Sequence, residues 1–249
     1  MSRPRILVAE DDAIISMEIA ERLNRMGYEV TAVVPSGEDA ISEAVKNPPD
    51  LILMDIRLRG NIDGTQAAGS ITARMDVPVI YITAYTDEET RNKAQQVFSY
   101  GYIVKPFNDR QLLCAIDMAF SNHALHRKVA ESEEKFRTLF ENISDAAFLY
   151  DLTAEGFPGR ILEVNDTALA LLGLSRADLI GKEYSSLNDR CCQKDFPKFL
   201  EKLVHDGHVR YEMILSGSEG YRPLVEINAH VFHFQGKDLV ISLARKISS

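Results

Sequence analysis

The sequence predicts an α/β domain built on a doubly wound, five-stranded parallel sheet, followed by an α+β domain with an antiparallel sheet. In the first half of the chain, five short apolar runs alternate with helical segments, and this alternation is typical of parallel strands joined by crossover helices. In the second half, two strand-like segments are followed by short helices and then by three more strand-like segments. That order favours an antiparallel sheet.

The composition is that of a globular protein. The chain has 249 residues, 45% hydrophobic and 26% charged, enough for one large domain or two of ordinary size. No apolar run approaches the roughly 18 residues of a membrane span. The net charge is −9, no Lys/Arg cluster resembles a nucleic-acid-binding surface, and the three cysteines lack metal-type spacing. We therefore expect a cytoplasmic protein that binds neither nucleic acid directly nor membranes.

Strands and helices of the first half are predicted from apolar runs and from capping residues. The strands are expected at residues 5–9, 28–33, 51–55, 79–83 and 102–104. Ile15, Ile19, Leu23 and Met26 form a helical apolar stripe that ends at Gly27. Further helices are expected at residues 36–45, 65–75 and 87–99, and from Asp109 onward.

Polar groups stand at the ends of four of these strands. Taken alone, Asp55 at the end of a strand would more often begin a turn or cap a helix. Right-handed crossovers, however, bring the carboxyl ends of all parallel strands to one edge of the sheet, where open α/β sheets bind their ligands. The groups expected to meet there are Glu10 and Asp11, Asp55, Thr83 and Lys105.

This set of groups suits phosphoryl transfer. Clustered carboxylates repel one another and need a cation, and hard oxygen ligands favour Mg²⁺. A metal together with Lys105 can hold a phosphoryl group against a nucleophilic Asp55, because such transfer depends mostly on positioning and charge stabilisation. The Thr83 hydroxyl can donate a hydrogen bond to a phosphoryl oxygen.

Five motifs surround these strand ends. They are Ile6-Leu7-Val8-Ala9-Glu10-Asp11-Asp12, Leu53-Met54-Asp55, Asp63-Gly64, Val79-Ile80-Tyr81-Ile82-Thr83-Ala84 and Gly101-Tyr102-Ile103-Val104-Lys105-Pro106-Phe107. With these motifs, residues 3–120 resemble the flavodoxin-like receiver domain of two-component response regulators. The resemblance implies that Asp55 accepts phosphate from a phosphohistidine on a sensor histidine kinase, with Lys105 and Thr83 assisting. It also implies that Thr83 and Tyr102 form a switch pair and that the Lys105–Pro106 peptide is cis; an ordinary half-buried strand aromatic is the alternative for Tyr102.

The resemblance also assigns the three N-terminal acids. In the family, an apolar helix residue follows the second acid of the acidic pair by four positions. Ile15 stands four positions after Asp11, so the pair is Glu10 and Asp11, and Asp12 is assigned to the N-cap of the next helix. The resemblance implies a magnesium site at this acidic pair. Its direct ligands are Asp11, Asp55 and the backbone carbonyl of Arg57, and Glu10 is the other acid of the site.

The segment between the two halves predicts one long helix, because residues 109–142 contain neither Pro nor Gly. Two heptad positions run along it, six of their eight residues being apolar, which suits a modest two-stranded coiled coil. A single helix that lies on its own domains is the alternative. The heptad residues are Met118, Leu125, Ser132 and Leu139 at one position and Asn122, Val129, Phe136 and Ile143 at the other.

In the second half, strands are expected at residues 146–151, 161–165, 209–215, 224–234 and 239–243, with a turn at 157–160. Through residues 135–142, 160–165 and 172–182, this half resembles a PAS domain. The resemblance implies no particular ligand, since PAS domains bind haem, flavin or metabolites, or nothing. Cys191 and Cys192 lack the flanks of the photoactive flavin motif. His205 and His208 are interpreted as surface residues rather than haem ligands, and Asn165 as a helix cap rather than a ligand contact.

The sequence thus predicts a receiver domain at residues 1–122, a helical linker at 123–134 and a PAS domain at 135–249. The expected function is that of a non-enzymatic response regulator, phosphorylated on Asp55, which signals through the linker to a PAS sensory or dimerisation module. A homodimer through the linker helix or the PAS domain is expected. Two alternatives are the N-terminal part of a receiver–PAS histidine kinase whose catalytic region is absent, and a ligand sensor built on the PAS pocket.

Overall fold

The computed structural model describes residues 3–84, 100–187 and 196–247, the side chains of residues 196 and 197 excepted. The chain divides into two compact units, Met1–Glu131 and Ser132–Ser249. The predicted helix at residues 87–99 and the two adjacent cysteines, Cys191 and Cys192, lie outside the described residues.

The first unit is a doubly wound α/β domain, as predicted. Its five parallel strands follow the order β2-β1-β3-β4-β5. Its described elements are β1 (Arg5–Ala9), α1 (Ala13–Arg25), β2 (Glu29–Val34), α2 (Gly37–Lys46), β3 (Leu51–Asp55), α3 (Gly64–Thr72), β4 (Val79–Ala84), β5 (Gly101–Lys105) and the first part of the long helix α4 (Asp109–Glu141), which continues into the second unit.

The buried strand β3 shows why helices cover both faces of this sheet. Every residue of β3 is buried, and successive side chains point to opposite faces. Ile52 and Met54 pack into a core with α2 and α3, whereas Leu51 and Leu53 pack into a core with α1 and α4. A continuous apolar run ending in one acid therefore builds two cores and presents Asp55 at the edge of the sheet.

The predicted end of α3 was wrong by three residues. The helix ends at Thr72, not near Met75. The amide of Arg74 donates a hydrogen bond to the carbonyl of Ile71, 2.9 Å away and only three residues back. This tighter turn closes the helix before the chain enters β4.

Gly64, at the start of α3, lies against the backbone of the predicted site. A Cβ atom built on Gly64 would lie 1.9 Å from the carbonyl oxygen of Asp55, and its amide donates a hydrogen bond to the carbonyl of Ile56 at 3.0 Å. We expect Gly64→Ala to lower the free energy of unfolding of this unit by about 1–3 kcal/mol or more, as overpacking does. Urea denaturation of the full chain measures this change.

Gly69, in the same helix, is the matched control because a Cβ atom there would meet nothing within 4 Å. Gly69→Ala should leave the stability unchanged or raise it by up to about 1 kcal/mol, since Ala is the better helix former. Equal stability of the two variants would show that the chain around Asp55 does not require glycine at position 64.

The second unit is an α+β domain with an antiparallel sheet, as predicted. Its strands follow the order β7-β6-β10-β9-β8, and Phe148, Tyr150 and Tyr184 are among its fully buried core side chains. The described elements are β6 (Ala146–Leu152), β7 (Pro158–Val164), α5 (Asp166–Leu172), α6 (Arg176–Leu179), a short 3-10 helix (Tyr184–Leu187), α7 (Phe196–Asp206), β8 (His208–Ile214), a second 3-10 helix (Ser218–Gly220), β9 (Leu224–Phe234) and β10 (Lys237–Lys246).

The turn predicted at residues 157–160 lies a few residues earlier in the chain. The chain turns between Thr153 and Phe157, whose backbone groups form a 2.8 Å hydrogen bond, with Gly156 at a φ of 80°. Strand β7 therefore begins at Pro158, and the amide of Arg160 donates to a carboxylate oxygen of Asp151 at 2.5 Å. The positive φ of a glycine, rather than the Pro-Gly pair, sets the turn.

The long helix α4 is continuous, as predicted from the absence of Pro and Gly. It begins at Asp109 and ends at Glu141. Leu112 and Ile116, near its start, belong to the core of the first unit, and Phe140, near its end, is buried. Among the described residues, neither this helix nor any other combines the length and apolarity that a membrane span requires.

Candidate functional site

The carboxyl ends of β1, β3, β4 and β5 meet around one cavity. Its volume is about 270 Å³, and all five of the strand-end side chains predicted to meet there lie along its wall. The lining residues are Glu10, Asp11, Asp12, Ile15, Asp55, Ile56, Arg57, Thr83, Ala84 and Lys105.

Asp55 is buried and held by two donors. Its Oδ2 lies 2.5 Å from Nζ of Lys105, and its Oδ1 accepts a 2.8 Å hydrogen bond from the backbone amide of Arg57. Only 7% of the residue is exposed. Because both carboxylate oxygens have a donor, the side chain is fixed in orientation toward the cavity.

Lys105 bridges Asp55 and a second buried acid, Glu10. Its Nζ lies 2.6 Å from Oε2 of Glu10. Burial raises the pKa of Glu10, against the hydrogen bond from Lys105, which lowers it. For Lys105 the balance is reversed: burial lowers its pKa, but the hydrogen bonds to Asp55 and Glu10 outweigh that effect and raise it. The lysine is therefore held in its charged form.

Asp11 completes a cluster of three carboxylates. One oxygen each from Glu10, Asp11 and Asp55 lies within 4.8 Å of the others, and no other group of three metal-binding side chains is found among the described residues. Three carboxylates face one ammonium, so the cluster keeps an excess of negative charge. Its oxygen donors fit a hard divalent cation such as Mg²⁺.

Asp12 caps helix α1 and does not join the cluster. Its Oδ1 accepts hydrogen bonds from the amides of Ile14 and Ile15, at 2.8 and 3.1 Å, and these bonds lower its pKa. The predicted N-cap is thus confirmed. Because Asp12 binds the helix, Asp11 is the second acid that faces the cavity.

Thr83 and Tyr102 lie on neighbouring strands beside the cavity. The Thr83 hydroxyl lines it and donates a 3.1 Å hydrogen bond to the carbonyl of Ala84. The Tyr102 side chain is 56% exposed, so it occupies the surface rather than the interior. The switch role of this pair stays a prediction. The Lys105–Pro106 peptide is cis, as the resemblance implies.

Two contacts of the site were not predicted from the sequence. The backbone amide of Arg57 donates to Asp55, whereas only the carbonyl of Arg57 was singled out beforehand. Nε of Arg59 lies 3.6 Å from Oδ2 of Asp11. Arg57 and Arg59 both lie in the loop between β3 and α3. This loop contains Gly60 and has no repeating sequence pattern from which its contacts could be predicted.

In the second unit, the interpretation of Asn165 as a helix cap is confirmed. Its Oδ1 accepts from the amide of Ala168 at 2.9 Å. The surface interpretation of His205 and His208 also holds, since both are exposed, and Nδ1 of His205 lies 2.7 Å from a carboxylate oxygen of Asp206. Neither histidine faces the core.

Two family models match the chain in sequence. The model described as "Response regulator receiver domain" matches residues 6–117. A PAS domain model matches residues 134–204. The first match contains every residue of the carboxylate and lysine cluster.

Curated relatives match about half of the chain. The "Transcriptional regulatory protein PdtaR" of Mycobacterium tuberculosis (strain ATCC 25618 / H37Rv) is 34% identical over 138 residues, which are 54% of this chain and 67% of that protein. The "Probable transcriptional regulator ycf27" of Porphyridium aerugineum is 32% identical over 132 residues, 50% of this chain and 54% of that protein.

Two solved structures each match about half of the chain. The signal receiver domain of a modulated diguanylate cyclase from Desulfovibrio desulfuricans G20 is 34% identical, with a TM-score of 0.48, and the match covers 50% of this chain and 98% of that one. The PAS domain of an HTR-like protein from Haloarcula marismortui is 22% identical, with a TM-score of 0.43, and the match covers 50% of this chain and 98% of that one.

Proposed function

Because the chain belongs to the response regulator family, with a receiver domain followed by a PAS domain, we propose that Asp55 accepts a phosphoryl group from a sensor histidine kinase. The observation that supports this proposal is the carboxylate cluster bridged by Lys105 at the edge of the sheet. It combines a nucleophilic carboxylate, a set of cation ligands and a fixed ammonium group.

In the proposed reaction, a carboxylate oxygen of Asp55 attacks the phosphorus atom of the kinase phosphohistidine. The P–N bond breaks, the imidazole leaves with the electron pair, and an acyl phosphate forms on Asp55. Asp11, Asp55 and the Arg57 carbonyl, beside Glu10, would hold Mg²⁺, which would supply positive charge to the phosphoryl oxygens when bound. Lys105, already within hydrogen-bond distance of Asp55, binds one of these oxygens and balances the added charge.

We propose that Thr83 and Tyr102 transmit the phosphorylation of Asp55 to the protein surface. The Thr83 hydroxyl exchanges its hydrogen bond with the Ala84 carbonyl for one with a phosphoryl oxygen. Tyr102, now exposed, turns into the space that Thr83 leaves. The change is small and local, and it biases a surface between two states.

The proposed output is a protein–protein contact rather than a reaction. Residues 1–122 act as the receiver, 123–134 as the linker and 135–249 as a PAS sensory or dimerisation module in a cytoplasmic homodimer. The continuity of α4 from Asp109 to Glu141 supports signalling along the linker.

Several relatives are named as transcriptional regulators. A gel-shift assay with and without phosphorylation tests the proposal that this chain does not bind DNA directly.

Phosphorylation of the wild-type chain tests the proposed reaction. After incubation with acetyl phosphate and Mg²⁺, intact mass spectrometry should show one added phosphoryl group, and peptide mapping should place it on Asp55. Chelation of the metal with EDTA should abolish the addition, because the clustered carboxylates then lack their cation. A phosphoryl group on another residue, or equal labelling with EDTA, would contradict the proposal.

A further inference from the structure

Arg59 places a second cation beside the carboxylate cluster. Its Nε lies 3.6 Å from Oδ2 of Asp11, and 70% of its side chain is exposed. It lies outside the set of described residues that line the cavity, whereas Lys105 is one of them and has only 19% of its side chain exposed. The two cations therefore contact the cluster differently: Lys105 holds it from within, and Arg59 approaches Asp11 from the solvent side.

The backbone around Arg59 is held by the segment that begins α2. The amide of Arg59 donates a 3.3 Å hydrogen bond to the carbonyl of Pro35. The amide of Asn61 donates to a carboxylate oxygen of Glu38 at 2.8 Å. Between them, Gly60 has a φ of 108° and leaves no room for a Cβ atom beside Glu38. Because the chain is tied to α2 on both sides of Gly60, Arg59 approaches the cluster from a fixed place.

A phosphoryl dianion that approaches the cavity meets an excess of negative charge. Glu10, Asp11 and Asp55 oppose the single ammonium of Lys105, and Asp12 lines the same cavity. A divalent cation would add two positive charges, but the dianion brings two negative charges of its own. A further cation at the edge of the cluster reduces the repulsion that remains. A guanidinium suits this task, because its planar fork can donate two parallel hydrogen bonds to a phosphate.

We propose that Arg59 binds the phosphoryl group that is transferred to Asp55. Before the divalent cation binds, the guanidinium is paired with Asp11. The guanidinium leaves Asp11 as that carboxylate turns to the cation, and it then donates hydrogen bonds to the phosphoryl oxygens of the incoming donor. Arg59 thus competes with the cation for Asp11 and attracts the dianion to Asp55.

This inference rests on the proposed phosphorylation of Asp55 and assigns a second phosphoryl-binding residue to the same site. It predicts two effects of opposite sign when the charge of Arg59 is removed. The affinity for Mg²⁺ should rise, because a competing cation is lost. The affinity for the phosphodonor should fall, because an attracting cation is lost. A general distortion of the loop would weaken both.

Arg59→Gln tests the first effect. Isothermal titration of the full chain with Mg²⁺, without any phosphodonor, should give a dissociation constant roughly two- to five-fold lower than that of the wild type. This is the change expected when one exposed ion pair no longer competes for Asp11. Arg59→Lys keeps the charge, and its dissociation constant should lie closer to the wild-type value than that of Arg59→Gln.

The second effect is measured with acetyl phosphate at saturating Mg²⁺, with labelling followed by intact mass spectrometry. The KM of Arg59→Gln for acetyl phosphate should be roughly two- to five-fold higher than that of the wild type, with little change in the maximal rate. The difference should shrink when the NaCl concentration is raised from about 0.02 to 0.5 M, because salt screens exposed charges.

Arg25→Gln is the matched control for both measurements. Nη2 of Arg25 lies 3.6 Å from Oδ2 of Asp109, and 61% of its side chain is exposed, so this pair resembles that of Arg59 in distance and exposure. Neither Arg25 nor Asp109 lines the cavity. The control should therefore keep the wild-type affinity for Mg²⁺ and the wild-type KM.

Every other pattern overturns the inference. Weaker binding of both Mg²⁺ and acetyl phosphate by Arg59→Gln would assign Arg59 a structural role in the loop. Tighter Mg²⁺ binding with an unchanged KM would limit Arg59 to its contact with Asp11, and wild-type values in both measurements would show that it takes no part. If the wild-type chain is not labelled on Asp55, the proposed function fails together with this inference.

Discussion

Replacing Asp55 with Asn is expected to abolish phosphoryl transfer from acetyl phosphate to the chain. The amide of Asn has no anionic oxygen to attack phosphorus, and no acyl phosphate can form on it. The substitution keeps the size of the side chain, but it removes one of the two anionic partners of Lys105, whose Nζ lies 2.5 Å from Oδ2 of Asp55 and 2.6 Å from Oε2 of Glu10. The measurement is covalent labelling by intact mass spectrometry in the presence of Mg²⁺.

Asp12→Asn is the matched control for this loss. Asp12 lines the same cavity but caps helix α1 with its Oδ1, and Asn is an equally good N-cap residue. The control should therefore be labelled like the wild type and should remain folded. If Asp55→Asn is labelled as well as Asp12→Asn, the assignment of the phosphoacceptor is wrong.

Replacing Asn165 with Ala is expected to destabilise the PAS unit by about 3 kcal/mol or more, through the loss of an N-cap and of several buried hydrogen bonds. Asn165 has no exposed surface. Its Oδ1 accepts from the amides of Ala147 and Ala168, at 2.8 and 2.9 Å. Its Nδ2 donates to the carbonyls of Ile143 and Asp145, at 3.1 and 3.0 Å.

Hydrogen exchange of the full chain measures the effect of Asn165→Ala in each unit separately. Amides of β6 and β10 should lose protection in the variant, while those of β1 and β3 should keep it, because the hydrogen bonds of Asn165 in the described part of the chain go to residues of the second unit. Asp166→Asn is the control: this neighbour is 79% exposed, and its change should stay within about 0.5 kcal/mol. Similar exchange in the two variants would mean that water replaces the side chain of Asn165 at little cost.

The candidate site was accessible from the sequence because parallel strands share one edge. Asp55, Thr83 and Lys105 are separated widely along the chain, yet each directly follows or ends an apolar run. The crossover rule then places them together. The capping role of Asp12 was also predictable, since only one register of the N-terminal acids leaves Ile15 in its expected place.

The contacts within the site were not accessible in the same way. The bridge from Lys105 to both Glu10 and Asp55 depends on side-chain distances that no repeating sequence pattern predicts. The donor role of the Arg57 amide and the approach of Arg59 to Asp11 depend on the loop after β3. Loops lack a repeating pattern, and their path is set by contacts with residues distant in sequence.

The sequence by itself determined the fold classes of the two halves, the parallel and antiparallel character of their sheets, and the edge on which the acids and the lysine meet. It could do so because burial imposes a period of two or 3.6 residues on each element. Only the tertiary structure decided how Asn165 connects the segment after α4 to β6 and α5. That outcome depends on which polar groups become buried together, because a buried polar group left without a hydrogen bond costs about 1–3 kcal/mol.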